Sequence, residues 1–213
     1  MFVGERMSHP VISVPPETPI HDALVMFKKE HIRRAPVIKD GKLVGIVTES
    51  DLHNASPSPV TSLSVWEINY LLSKVTVKQV MSKKVKTIDE NTPIEEAARI
   101  MADSKIGGLP VMRSGTIAGI ITETDLFKIF LELMGAREKA IRVTALVEDK
   151  PGQLAKVTKA IAEAGGNFIS FGMFSGPDTS SKMLTFKVAG LKKDDVKKAL
   201  EKVVKKFWDI RLS

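Results

Sequence analysis

Two stretches decide the reading: Gly45-Ile46-Val47-Thr48-Glu49-Ser50-Asp51-Leu52 and Gly119-Ile120-Ile121-Thr122-Glu123-Thr124-Asp125-Leu126. Each runs from an apolar strand through a Thr-x-x-Asp step into a helix. They stand 74 residues apart. At that offset residues 7–52 align with 81–126 without a gap, and 17 of the 46 pairs are identical. The chain therefore carries an internal duplication.

Outward from these stretches, each copy reads the same way. It opens on Met-Ser (Met7-Ser8, Met81-Ser82), followed by a short extended piece at 11–14 or 85–88. Thr-Pro then starts an amphipathic helix, with Thr18 and Thr92 expected as N-caps and Pro19 and Pro93 at the first helical position. Strands are expected at 35–38 and 43–47, and again at 109–112 and 117–121. Asp40-Gly41 and Ser114-Gly115 between them suit tight hairpins. The unit is β-α-β-β-α. About 50 residues with one-sided strands leave much apolar surface uncovered, and two copies packed together remedy this. Between them Pro57 and Pro59 mark a loop, and 64–72 (SVWEINYLL) reads as a short helix.

The carboxylates at the strand-to-helix junctions suggest chemistry. Asp51 and Asp125 can each accept two hydrogen bonds from a vicinal diol, as a ribose presents. The hydroxyls of Thr48, Ser50, Thr122 and Thr124, with helix N-terminal amides, suit phosphate oxygens. The same pattern also serves as plain helix capping, and Glu49 and Glu123 read as solvent-facing or capping groups.

These motifs resemble a tandem pair of cystathionine-β-synthase (CBS) domains, a Bateman module. The resemblance rests on the Met-Ser opening, the Thr-Pro helix start, the Pro-Val strand, the glycine turn and the Gly-h-h-Thr-x-x-Asp ending. It covers roughly residues 1–135 and implies an adenosine-containing ligand (AMP, ADP, ATP or S-adenosylmethionine) in clefts between the repeats. Asp51 and Asp125 would hold ribose. Thr48, Ser50, Thr122 and Thr124 would face phosphate. Thr18, Thr92 and backbone near Ile12, Ser13, Lys86 and Thr87 would line the adenine pocket. The pre-proline segments differ: Ile32-Arg33-Arg34 in one copy, Ile106-Gly107-Gly108 in the other. Arg33 and Arg34 can meet phosphate, whereas the glycines offer only close backbone approach, so the two clefts are expected to differ.

Residues 139–213 have another rhythm and another charge. Net charge is zero over 1–138 (17 basic, 17 acidic) and +7 over 139–213 (15 basic, 8 acidic). Strands are expected at 141–147, 168–174, 183–189 and 208–212, with helices from Leu154 to the Gly165-Gly166-Asn167 stop and over 192–206. The order β-α-β-β-α-β is ferredoxin-like. Asp149-x-Pro151-Gly152-x-Leu154 and Gly165-Gly166-Asn167-Phe168-Ile169 resemble an ACT domain. That resemblance implies dimerisation and a free amino acid at the pairing interface near that loop, where amides at Gly152 and Gln153 can hold a carboxylate, Asp149 and Asn167 can meet an ammonium, and Leu154 is counted among the site residues. The alternative is that Asp149 merely caps the helix. The expected domains are therefore 1–74 (first CBS repeat with linker helix), 75–136 (second repeat) and 139–213 (ACT). A CBS pair followed by ACT is similar to the acetoin-utilisation (AcuB-type) family, which implies a regulatory metabolic role.

Composition excludes much else. Cysteine is absent, so disulfides and thiol catalysis are out. His9, His21, His31 and His53 form no His-x-His or His-Glu-x-x-His pair, so no metal is expected. No nucleophile elbow or Walker loop occurs, and no required cofactor or catalytic function is expected. No apolar run approaches the ~18 residues of a membrane span, and MFVGERMSHP meets charge and proline early, so a cytoplasmic protein is expected. The expectation is a non-catalytic sensor, a homodimer that alters an unidentified protein partner when ligand binds. The alternative is a nucleic-acid-binding regulator using Lys192, Lys193, Lys197, Lys198, Lys202, Lys205 and Lys206, although Asp194, Asp195 and Glu201 interrupt that face.

Overall fold

The computed structural model describes residues 1–55 and 74–213. They form two compact units, Met1–Leu126 and Phe127–Ser213. The loop at Pro57 and Pro59 and the helix expected over 64–72 lie outside the described residues.

In the first unit, helix α1 (Ile20–Lys29) leads to strand β1 (Arg34–Lys39), which turns back as β2 (Lys42–Thr48) and enters α2 (Glu49–Asn54). A one-turn helix α3 (Val77–Val80) precedes the second copy: β3 (Ile88–Asp89), α4 (Ile94–Ser104), β4 (Gly108–Arg113), β5 (Thr116–Thr122) and α5 (Glu123–Leu133), a helix that belongs to the first unit as far as Leu126 and to the second from Phe127. β1 and β2 pair antiparallel, as do β4 and β5, while β3 runs parallel to β4. Both hairpins turn through two residues with positive φ, Asp40-Gly41 (50° and 73°) and Ser114-Gly115 (48° and 80°), as a primed turn requires.

Two expectations need correction. The extended pieces are shorter than the sequence suggests: the first keeps a single bridge from Val14 to Val37, the second only β3. The long helices also start one residue later, with Pro19 and Pro93 as the caps and no capping side chain. Each proline is extended (ψ 144°), which sets the preceding threonine outside the helix. The threonine carbonyls serve elsewhere: Thr18 accepts the Val77 N–H and Thr92 the Val3 N–H, each at 2.9 Å.

Those bonds reveal how the copies interlock. Ser8 exchanges two backbone hydrogen bonds with Ile120 (2.9 and 3.1 Å), and Ser82 does the same with Ile46 (2.9 and 3.0 Å). The opening segment of each repeat thus lies on the strand of the other. Val3 and Met7 complete the core of Ile88, Ala97, Met101, Leu109, Val111 and Ile121. Val77 completes the core of Val14, Ile20, Ala23, Phe27, Val37, Val47 and Leu52. Each such buried aliphatic side chain contributes about 1.5–3 kcal/mol, so either repeat alone would lack part of its core.

In the second unit β6 (Ile141–Glu148), α6 (Gln153–Glu163), β7 (Asn167–Ser175), β8 (Ser181–Ala189), α7 (Lys193–Leu200) and β9 (Lys206–Leu212) follow in that order. The antiparallel sheet runs β7-β8-β6-β9, the ferredoxin-like order. β6 alternates buried and half-buried residues, as a strand with one face on a core does. Val157 and Ile161 of α6 and Val196 and Leu200 of α7 pack with Val143, Ala145, Leu184 and Phe186 of the sheet. α6 closes as expected: Gly165 has φ 87°, its N–H reaches Ala162 O, and Gly166 N–H reaches Ile161 O. The last helix does not reach 206. It stops at Leu200, because the edge of β6 captures the chain: Lys205 donates to Leu146 O at 2.8 Å and β9 begins at Lys206. No helix among the described residues is long and apolar enough to cross a membrane.

Candidate functional site

Thr48 ends β2 in extended conformation and caps α2. Its hydroxyl oxygen accepts the Asp51 N–H at 3.2 Å. Asp51 Oδ2 in turn accepts the Thr48 N–H at 2.8 Å and the Thr48 hydroxyl at 2.7 Å. The second copy repeats this, with Asp125 Oδ2 at 3.0 Å from Thr122 N and 2.7 Å from Thr122 Oγ1. The capping role is therefore real in both motifs. It also corrects one expectation: the Thr48 and Thr122 hydroxyl protons are committed to the neighbouring carboxylate and are not offered to phosphate. Ser50 and Thr124 are exposed instead. In Asp51 the box uses Oδ2 alone, so Oδ1 remains to accept from a ligand.

Asp51 lines a cleft of about 600 Å³ within the first unit. That size suits a small organic ligand. The first repeat contributes Arg33, Arg34, Ile46, Thr48, Glu49, Ser50 and Asp51 to its walls. The second contributes Ser82, Lys84, Val85, Lys86, Ser104, Lys105, Ile106, Gly107 and Gly108. Among the residues that sequence reasoning singled out, this cleft unites Arg33, Arg34, Thr48, Ser50 and Asp51, with Lys86 opposite. Thr18, Ile12, Ser13, Thr87, Thr92, Thr122, Thr124 and Asp125 are not among its walls. Asp125 is only 7% exposed.

Sequence reasoning missed Ser82, Lys84, Ser104 and Lys105. The signal was present in the offset but needed the interlocking: only when the opening of the second repeat crosses to the first does Lys84 face Asp51. Sequence does not say which cleft Arg33 and Arg34 serve, or how they stand to Gly107 and Gly108. Both pairs line the same cleft. A Cβ at either glycine would collide with the Arg34 side chain, so the glycines make the room that the arginine fills. Burial lowers the Arg34 pKa from its ordinary value; the Glu123 carboxylate opposes this and the like charge of Arg33 adds to it. Glu123, though exposed, thus stands near Arg34 beside Gly107, and Glu49 lines the cleft.

His21, His31 and His53 border an open groove beside α1 and α2, with His53 Nε2 at 3.9 Å from Glu49 Oε1. Among the described residues no three His, Asp or Glu side chains gather as metal ligands.

In the second unit the expected amino-acid residues are dispersed within the chain. Asp149 pairs with Lys182 at 3.3 Å and is not a helix cap; Gly152, with φ 81°, holds that position without a capping side chain. Gln153 is buried, and its side-chain amide donates to Val203 O at 2.7 Å, tying α6 to the turn before β9. Leu154 is 44% exposed. Asp149 follows Glu148, the partner of Ser181 at one end of β8, whereas Asn167 pairs with Ala189 at the other. Eight residues of strand, about 27 Å at ~3.4 Å each, separate Asp149 from Asn167 within one chain.

Known proteins show the same architecture. The CBS domain model matches twice, over residues 3–58 and 77–132. CBSX2, solved in complex with AMP, is 30% identical and superposes with a TM-score of 0.52 over 62% of this chain and 97% of its own. The CBS pair of protein MJ0100, solved with 5′-methylthioadenosine and S-adenosyl-L-methionine, is 27% identical with a TM-score of 0.52, covering 65% of this chain and 98% of that one. A protein assigned as the acetoin utilization protein AcuB from Vibrio cholerae is 26% identical with a TM-score of 0.53, over 64% of this chain and 95% of its own. A duplicated unit, an interlocked pair and two successive family matches across more than half the length lead to one conclusion: the chain belongs to the CBS-domain family.

Proposed function

We propose that the chain is a non-catalytic regulatory sensor that binds an adenosine-containing ligand (AMP, ADP, ATP or S-adenosylmethionine) in the cleft walled by Asp51. The observation that carries this reading is the meeting, in one cleft, of a carboxylate oxygen not used by its own cap with cations from both repeats. Oδ1 of Asp51 is suited to a ribose hydroxyl, Ser50 to phosphate, and the apolar Ile46, Val85 and Ile106 to a base. The AMP and S-adenosyl-L-methionine complexes of similar CBS pairs support the ligand class. Domain limits of 1–74, 75–136 and 139–213 accompany this reading.

The C-terminal module serves as an ACT-like pairing element that makes the protein a homodimer. Its support is the pair of open sheet edges: Met173 and Phe174 stand exposed on β7, Trp208 and Leu212 on β9. Exposed edges favour a symmetric partner. Ligand binding in the first unit then shifts a two-state arrangement that a protein partner reads.

The test is thermal unfolding with each adenosine compound, on wild type and Asp51→Ala. Ligand at a hundredfold excess over Kd is expected to stabilise the first unit by about 2.7 kcal/mol, and Asp51→Ala to abolish most of this. No stabilisation by any adenosine compound refutes the reading. A salt-dependent shift of DNA mobility would favour the nucleic-acid alternative instead.

A further inference from the structure

Helices α6 and α7 pack on one face of the second unit's sheet, through Val157, Ile161, Val196 and Leu200. The opposite face carries an ordered surface. Strand register aligns Phe174 of β7, Met183 of β8, Leu146 of β6 and Lys206 of β9 in one row across all four strands. Trp208 stands in the bulge of β9 beside Lys206, whose ammonium lies 5.7 Å from the centre of its ring. Phe174 is 49% and Trp208 58% exposed, while Met183 and Leu146 are half-buried in the row. The Phe174 ring leans back over Gly172: an added Cβ there would stand 3.1 Å from Cε2, so the glycine lets the ring lie along the sheet.

The charges of this face are uneven. Its four strands carry Arg142, Lys187, Lys206 and Arg211 against Glu148 and Asp209. Asp209 is shared by Arg142 at 3.3 Å and Arg211 at 2.7 Å, and Glu148 is held by Lys150. Lys187 is buried and donates to Glu138 O at 2.9 Å, so Lys206 and Arg211 are the exposed cations of the face. Lys193, Lys197 and Lys198 belong to α7 and stand on the helix side of the sheet.

We propose that this face binds single-stranded nucleic acid, with Trp208 and Phe174 as platforms for unstacked bases and Lys206 and Arg211 as partners of the phosphates. The proposal does not rest on the adenosine-sensing reading. Every base has a flat face that stacks on an aromatic ring, and the backbone that joins the bases is negative at each phosphate. The sheet offers the complement. Three strand spacings of ~4.8 Å set the Phe174 and Lys206 ends of the row about 14 Å apart, with apolar side chains between them. A duplex keeps its base faces inside its own stack and offers these rings nothing. An acidic peptide would meet the cations and leave the rings unmatched. Two copies joined edge to edge through backbone hydrogen bonds would extend this face rather than cover it.

Fluorescence anisotropy of a labelled oligothymidylate of about 12 nucleotides, titrated with the full chain, tests this. Wild type is expected to bind the single strand and not its duplex. Trp208→Ala should weaken binding at least about fivefold, the loss of one base stack, and Trp208→Phe should restore most of it. Lys206→Gln should lower the slope of log affinity against log salt by about 0.7, one phosphate contact. The proposal is overturned by no binding of the oligomer, by equally tight binding of the duplex or of heparin, which has charge but no bases, or by displacement of the oligomer with excess AMP. It is also overturned by wild-type affinity in Trp208→Ala, by a loss that Trp208→Phe does not restore, or by an unchanged salt slope in Lys206→Gln. Thermal unfolding with adenosine compounds reads the first unit separately, so failure here leaves that reading standing.

Discussion

Gly45 and Gly119 show what a single residue does here. Each lies under the Met-Ser opening of the other repeat, and an added Cβ would run into Met81 or Met7. Gly45→Ala is expected to destabilise the first unit by about 1–3 kcal/mol through overpacking, read as a lowered urea midpoint. Gly41, with open space around it but φ 73°, is the contrasting case, and its replacement by alanine costs only backbone strain, about 1 kcal/mol. The repeat made both glycines of the pair visible in sequence; their reason is not visible there, because Met81 reaches Gly45 only across the fold. The same holds for Asp51. Its Thr-x-x-Asp spacing suggested both a cap and a ligand group; the structure shows the cap on Oδ2, and the ligand role of Oδ1 belongs to the proposed function.

At the scale of elements, local signals were read well where one residue sets the backbone. Asp40-Gly41, Ser114-Gly115 and Gly165 turn as their types demand. They were read poorly where a distant strand competes. The helix expected over 192–206 shows apolar periodicity through Val203 and Val204, yet β6 draws the chain off after Leu200 and the valines pack against the core from a turn. Gln153 holds that turn. Gln153→Ala is expected to cost about 1–3 kcal/mol in the second unit by leaving Val203 O unsatisfied, with the first unit unaffected, a difference that hydrogen exchange can localise. Acid acts on the same unit. Glu148, Asp178 and Asp209 have pKa values lowered chiefly by hydrogen bonds from Lys150, Ser180 and Arg211 respectively. Lowered folded-state values mean stabilisation present above the ordinary carboxylate range and lost as pH falls through the folded values. Asp178 is exposed and Glu148 and Asp209 are only half-buried, so the expected loss is small and should show as a gentle decline in melting temperature below the ordinary carboxylate range.

The whole molecule is two compact units. The duplication, the pairing of repeats and the β-α-β-β-α-β order were all legible in sequence, because hydrophobic period and turn residues carry them. The cleft was legible only by half: its first-repeat wall follows from the motif, whereas Lys84 reaches it through the exchange of opening segments and Lys105 from the end of α4. Asp149 and Asn167, expected near one amino acid at a pairing interface, stand at opposite ends of β8 within one chain, a separation that their nearness to glycine turns does not reveal. Light scattering at micromolar concentration should give twice the 23.4 kDa chain mass; a monomer would contradict the pairing role proposed for the second unit.

The central claim is that Asp51 grips the neighbouring hydroxyls of a ribose. Affinity for ATP against 2′,3′-dideoxy-ATP, on wild type and Asp51→Ala, tests it most directly. Loss of hydrogen bonds to a charged group, each worth about 1.5–3 kcal/mol, predicts at least tenfold weaker binding of the dideoxy compound to wild type and no such difference in the variant. Equal binding of the two compounds to wild type would contradict the account.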